Sequence, residues 1–161
     1  MKVFDYETLE VGEDLGTRTI RITDDLVREY TSLIETDHPW YRETSPYGRR
    51  IAPPTIFDNE TLRMIDTVYA RFGSIHAKQS WDFRKAVRVG ATIRVNVRLA
   101  EKFVKRDKGW MVLELTAIDE SGDVVCRGRH TSAVSLVAKP GGDRPEDARE
   151  WPGDARSGDD R

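Results

Sequence analysis

Residues 93–99, Ile-Arg-Val-Asn-Val-Arg-Leu, alternate apolar and polar without a break, the period of a strand with one dry and one wet face. Turn signals follow at 106–109 (Arg-Asp-Lys-Gly) and 119–123 (Asp-Glu-Ser-Gly-Asp). The segments between them, 91–105, 110–118 and 124–137, are expected to form an antiparallel meander. A first strand is expected at 17–23, where Ile20 and Ile22 alternate with Thr19 and Arg21. Thr23 then reads as an N-cap, with Asp24 and Asp25 in a first turn whose dipole favours negative charge. The helix it opens, 24–35, places Leu26, Val27, Tyr30, Leu33 and Ile34 on one side. A second helix opens at Pro53-Pro54, because proline suits a first turn whose N–H has no partner anyway. Phe57, Thr61, Met64, Ile65, Val68 and Phe72 form its stripe, and Gly73 is a natural stop. Ile56, Leu62 and Tyr69 widen that stripe, so this helix is expected to be deeply buried. The fold class is α+β, a long antiparallel sheet wrapped around a central helix.

Two stretches break the pattern. Residues 36–53 are irregular, rich in proline, glycine and aromatics, and too long for a plain connection; such loops in compact domains usually carry function. From Lys139 to Arg161 charges, prolines and glycines dominate and Trp151 is the sole large apolar side chain. That composition cannot bury enough surface to offset chain entropy, so one domain over 1–138 and a disordered tail over 139–161 are expected.

Composition narrows the classes. The 161 residues carry a formal net charge of −2, which gives no footprint for nucleic acid or a membrane surface. No apolar run approaches the ~20 residues that span a bilayer. The opening Met1-Lys2-Val3-Phe4-Asp5-Tyr6-Glu7 is acidic where a secretory leader would be apolar. The single Cys126 forms no internal disulfide and reads as a small buried apolar residue. A cytoplasmic protein is expected. Three histidines and one cysteine, widely spaced, make no metal pattern, and nothing calls for a cofactor. His76 and His130 fall in expected strands and read as satisfied core or sheet-surface residues.

The most informative residues are 36–41, Thr-Asp-His-Pro-Trp-Tyr, followed by 45–55, Ser-Pro-Tyr-Gly-Arg-Arg-Ile-Ala-Pro-Pro-Thr. With the opening Phe4-Asp5-Tyr6-Glu7-Thr8-Leu9-Glu10-Val11-Gly12 and the turn Phe83-Arg84-Lys85-Ala86-Val87-Arg88-Val89-Gly90, they resemble the MaoC-like hot-dog hydratases and dehydratases. The resemblance covers about residues 4–137. The Ile51–Thr55 run looks like the family's dehydratase N-terminal subgroup. The resemblance implies a single hot-dog fold and an acyl-CoA or acyl-ACP thioester as ligand.

In active members an Asp-x-Asn-Pro-x-His motif holds and polarises one water, which adds to an α,β-unsaturated thioester or leaves in the reverse reaction. A backbone N–H at the start of the buried helix stabilises the thioester oxyanion. Anchored on Pro39, the family's Asn falls on His38, its catalytic His on Tyr41 and its catalytic Asp on Thr36. The N–H donor falls on Pro54, which has none. An unperturbed tyrosine titrates near ~10, a poor base at neutral pH. Three required groups are therefore replaced together.

Asp37 and His38 stand next to the expected site and read either as a relocated acid–base pair, with Tyr41, or as a turn cap and a structural stand-in for the asparagine. Neighbouring side chains on extended backbone point to opposite faces, which makes joint action on one water awkward. Trp40, Tyr47 and Phe57, with Tyr41, read as tunnel wall or as loop packing. Arg49 and Arg50, with Arg84, Lys85 and Arg88, read as phosphate contacts or as a solvated basic face. The resemblance points to the accessory acyl-binding half of a two-hot-dog unit, paired with a catalytic MaoC-like subunit like the two-subunit (3R)-hydroxyacyl-ACP dehydratases. The alternatives are a self-sufficient homodimer using Asp37, His38 and Tyr41, and a non-enzymatic acyl-thioester binder.

Overall fold

The computed structural model describes residues 2–69 and 73–134. Five antiparallel strands form one sheet: β1 (Asp14–Arg21), β2 (Ser74–Phe83), β3 (Thr92–Lys105), β4 (Lys108–Ile118) and β5 (Val124–Val134). Their order across the sheet is β1-β3-β4-β5-β2. The expected meander is present as β3-β4-β5, with Val97 opposite Leu115 and Leu115 opposite Gly128. Val95, Val97, Leu99, Leu113 and Leu115 all face the helix side and are buried. The helix α3 (Glu60–Val68) crosses this face against β1, β3 and β4. This is the hot-dog arrangement.

Several boundaries differ from expectation for identifiable reasons. β1 begins at Asp14 rather than 17, because a bulge between Asp14 and Gly16 turns Leu15 inward, with Gly16 at φ +119°. Helix α1 (Asp24–Leu33) has the expected cap, Leu26 N donating to Thr23 Oγ1 at 3.2 Å. It stops two residues early, at Glu35 in the left-handed region. Leu33 and Ile34, expected on its buried side, are 64% and 44% exposed.

The irregular segment contains a short helix that periodicity did not reveal, α2 (Pro39–Arg42). The proline pair at 53–54 opens a 3-10 turn, Pro54–Phe57, and α3 follows after Asp58 and Asn59. α3 is one-sided rather than buried all round: Thr61, Met64 and Ile65 face the sheet, while Leu62 is exposed. α3 ends before the expected Phe72, because Tyr69 turns extended at φ −113°, ψ 143°. Residues 70–72, the part of the expected last strand beyond Val134, and the tail lie outside the described residues.

The chain's opening is tied to the far side of the sheet. A 3-10 turn, Tyr6–Thr8, presents the carbonyls of Tyr6 and Glu7, and with that of Leu9 they accept from Lys102 Nζ at 3.0, 3.1 and 2.9 Å. Tyr6 Oη donates back to Phe103 O at 2.8 Å.

Candidate functional site

The irregular segment overhangs the start of the central helix and is stitched down at several points. His38 caps α2: its Nδ1 accepts from Trp40 N at 3.3 Å. Ser45 is buried and organises the next turn. Its hydroxyl donates to Arg49 O, its Oγ accepts from Tyr47 N at 3.2 Å, and its carbonyl accepts from Gly48 N at 3.0 Å. Gly48 sits at φ +83°, which a side-chain-bearing residue would resist. Ala52 N then donates to Val87 O at 2.8 Å and Val89 N to Arg50 O at 3.0 Å, zipping the segment to the stretch after β2. Tyr30 of α1 anchors the 3-10 turn by donating to Thr55 O at 2.6 Å.

Under this overhang lies a cavity of about 730 Å³. One wall is Trp40, Tyr41, Tyr47, Arg49, Pro54 and Phe57. The opposite wall comes from the strands: Phe83 on β2, the 84–91 turn, and Val125 and Cys126 on β5. Trp40 and Tyr47 meet edge to face, ring centres 6.1 Å apart, and the His38 ring lies 5.3 Å from that of Tyr41.

The sequence-derived residues therefore separate. Trp40, Tyr41, Tyr47, Phe57 and Arg49 are brought together on the cavity wall. Arg50 is not on it and pairs with Asp24 at the start of α1. Asp37 and His38 are exposed and are not on it; His38 approaches only through its contacts with Trp40 and Tyr41. Thr36 is not on the wall either.

The wall's ionisable groups are few in kind. Its carboxylates are Asp119 and Glu120, from the β4–β5 turn, and it has no imidazole. Asp119 accepts from Lys85 Nζ and from the backbone N–H groups of Ser121 and Asp123, and the Lys85 ammonium foremost holds its carboxyl below the usual range. Lys85 is shifted upward by the same contact and by Asp123. Arg84 pairs with Asp82 at 2.8 Å, while no ion pair joins Arg49 or Arg88 to a described residue. Burial pushes the Cys126 thiol up to about 12, so it is a neutral wall group and no nucleophile. Cys126 is thus both the buried small residue expected and a cavity-lining one. Phe83 opposite Cys126, with Asp119, completes a wall that only strand register could have revealed.

Among the described residues no group of three or more His, Cys, Asp or Glu could hold a metal, and no helix is long and apolar enough to cross a membrane.

Residues 10–127 match the family model described as FAS1-like, dehydratase domain region. No curated protein matches the chain in sequence. Solved structures share its fold. The (R)-hydratase PhaJ1 from Pseudomonas aeruginosa superposes with a TM-score of 0.68 at 20% identity, covering 88% of this chain and 93% of that one. The (R)-hydratase from A. caviae involved in PHA biosynthesis gives 0.67 at 20% identity, over 80% and 98%. The HadBC (3R-hydroxyacyl-ACP dehydratase) complex from Mycobacterium tuberculosis gives 0.62 at 15% identity, over 76% and 99%.

Proposed function

The chain belongs to the FAS1-like dehydratase domain region family, with a MaoC-like hot-dog fold, and from that premise we propose that it is the accessory, acyl-thioester-binding half of a hydratase or dehydratase. The observation that carries this reading is a roomy cavity whose wall lacks the groups the chemistry needs. Adding water to an enoyl thioester takes a base and an acid within hydrogen-bond reach of that water. Here Tyr41 stands on the wall and Asp37 and His38 lie off it. Of the wall's two carboxylates, Asp119 is engaged by Lys85, and Glu120 is exposed on the β4–β5 turn with no imidazole on the wall to pair with it. Pro54, at the helix entrance, offers no N–H to a thioester oxyanion. What remains is a binding surface: aromatic rings for an acyl or pantetheine chain, and Arg49 and Arg88 at the mouth for the phosphates of coenzyme A or an acyl carrier.

The need for a second hot-dog is argued from β2. It is an edge strand within the described chain, exposed or half-buried along its whole length, and leaves Ile75 and much of Phe83 exposed. An edge of that kind is blunted by pairing with another strand. A homodimer and a heterodimer with a catalytic MaoC-like subunit both satisfy it; the accessory reading favours the heterodimer, the assembly named for the HadBC relative. The lone thiol, which forms no internal disulfide, supports a cytoplasmic setting.

One observation favours the self-sufficient enzyme: the His38 ring lies against Tyr41, which sets an exposed imidazole beside a residue of the wall. Hydration of crotonyl-CoA by the purified chain, followed by loss of enoyl-thioester absorbance, separates the readings. The accessory reading expects binding without turnover until a catalytic subunit is supplied. Turnover by the chain alone, abolished by His38→Ala or Asp37→Ala, would replace it with the displaced acid–base pair. Binding with no turnover, whatever hot-dog subunit is added, would leave a non-enzymatic binder.

A further inference from the structure

Where β2 meets the helix entrance at Asp58 and its neighbour β5, polar side chains lie that neither the core nor the cavity uses. His130 on β5 points inward and is 2% exposed. Its Nε2 lies 2.9 Å from the buried Ser132 Oγ, and its Nδ1 has no hydrogen-bond partner. This differs from the fully satisfied core histidine expected. Thr61 Oγ1, on the sheet-facing side of α3, is likewise buried without a partner. The exposed His76 of β2 lies over His130, ring centres 4.0 Å apart and planes tilted by 32°. Three and five residues further along β2, Gln79 and Trp81 both donate to Asp58 Oδ1, at 2.5 and 3.1 Å, clipping β2 to the start of the helix. Within the described chain β2 has a single strand neighbour, β5.

We propose that the stacked pair His76–His130 is an acid-sensitive latch, which holds β2 against the sheet while both imidazoles are neutral and releases it when the pair takes up a proton. The groups facing His130 are Asp58 from the helix entrance, His76 and Gln79 from β2, Ser132 from its own strand, and the apolar Leu113 beside it on β4. Asp58 alone could balance a positive charge there, and it already accepts two hydrogen bonds. A proton on His76 sets a cation against a buried neutral ring. A proton on His130 makes a buried cation with no full partner.

Burial foremost, and then His76, push His130 down to about 4, with Asp58 opposing. A histidine in the unfolded chain titrates near ~6.5. The native state therefore binds fewer protons than the unfolded one between those values. Stability is complete above about pH 6.5 and falls as pH descends towards 4. The loss concentrates on β2, because separating it from β5, its one strand neighbour within the described chain, frees both rings without dismantling β3 and β4. β2 also carries Phe83 of the cavity wall, so release opens the cavity, and a ligand packed on Phe83 resists release.

The test is urea unfolding of the full chain at one protein concentration from pH 7.5 to 4, with side-chain NMR titration of His130 and amide exchange resolved by strand. The expected result is a folding equilibrium weakened on the order of 100-fold across that range, part of a ceiling near ~300-fold for such a shift. His130 should titrate well below 6.5, and β2 amides should lose protection before those of β3 and β4. His76→Gln, an exposed substitution that keeps the fold, should shrink the acid loss; His130→Gln, if it folds, should remove most of it. A His130 titrating near 6.5, identical acid profiles for wild type and His76→Gln, or simultaneous loss of protection in all strands would each overturn the latch.

Discussion

The interior of the β3-β4-β5 sheet and the overhanging segment 36–53 lie within one small domain and are held by opposite means. The sheet interior is apolar, repetitive and buried: Val95, Val97, Leu113 and Leu115 have essentially no exposure. The overhang is held by single bonds, such as Ser45 to its own turn, Ala52 to Val87 and Tyr30 to Thr55, and it keeps Trp40 and Tyr47 in contact with solvent. The first arrangement supplies stability that no one residue dominates. The second supplies a shaped surface that each residue can alter. A family can therefore keep its sheet and exchange its chemistry in the overhang.

The sharpest way to test that contrast is to remove packing from the sheet. Leu113→Ala should cost about 2–5 kcal/mol in urea unfolding, through lost burial and a cavity the strands cannot close. Gly128→Ala should follow at about 1–3 kcal/mol, since a Cβ there would stand 2.6 Å from the Trp81 ring. It should also weaken the Trp81 bond to Asp58, visible as a changed indole N–H resonance. On the overhang, Ser45→Ala should cost about 1 kcal/mol. Its exchange protection should fall at 45–49 only, with crotonyl-CoA binding weakened severalfold in calorimetry; loss spread through β3 and β4 would erase the distinction. The smallest stability effect belongs to Tyr41→Phe, which should leave unfolding unchanged and, under the accessory reading, leave binding within twofold. Cys126 probes the shared wall: its iodoacetamide labelling at pH 8 should be slower by about two orders of magnitude in the native than in the urea-unfolded chain. Equal rates would mean that the cavity stands open.

What could be read from the chain follows the same division. The meander was legible because strict alternation leaves one register that buries Val95, Val97 and Leu99 together. Thr23 was legible as a cap because its chemistry is local. Leu33 and Ile34 misled, since their spacing is helical yet the helix stops beneath them, at Glu35. α2 is too short for any periodicity, and its cap is a histidine ring rather than a usual capping side chain. Arg50 looked like a partner of Arg49, but Asp24, distant in sequence, takes it away from the cavity. The far wall of the cavity joins Phe83 to Cys126 across 43 positions of sequence, and only pairing of the strands reveals it.

The clasp of Lys102 on the opening turn bears on how this chain comes off the ribosome. Lys2, Phe4 and Arg18 meet partners in residues 60–69, but β1 has β3 as its strand partner and Tyr6 waits for Phe103 and Lys102, so these later contacts cannot form until residues 92–105 emerge. At ~5–20 residues per second that delay is roughly 4–20 s. Through that interval the apolar residues Leu9 and Leu15 must stay free of other chains, and the charges spaced around them, Glu7, Glu10, Glu13 and Asp14, favour water over self-association.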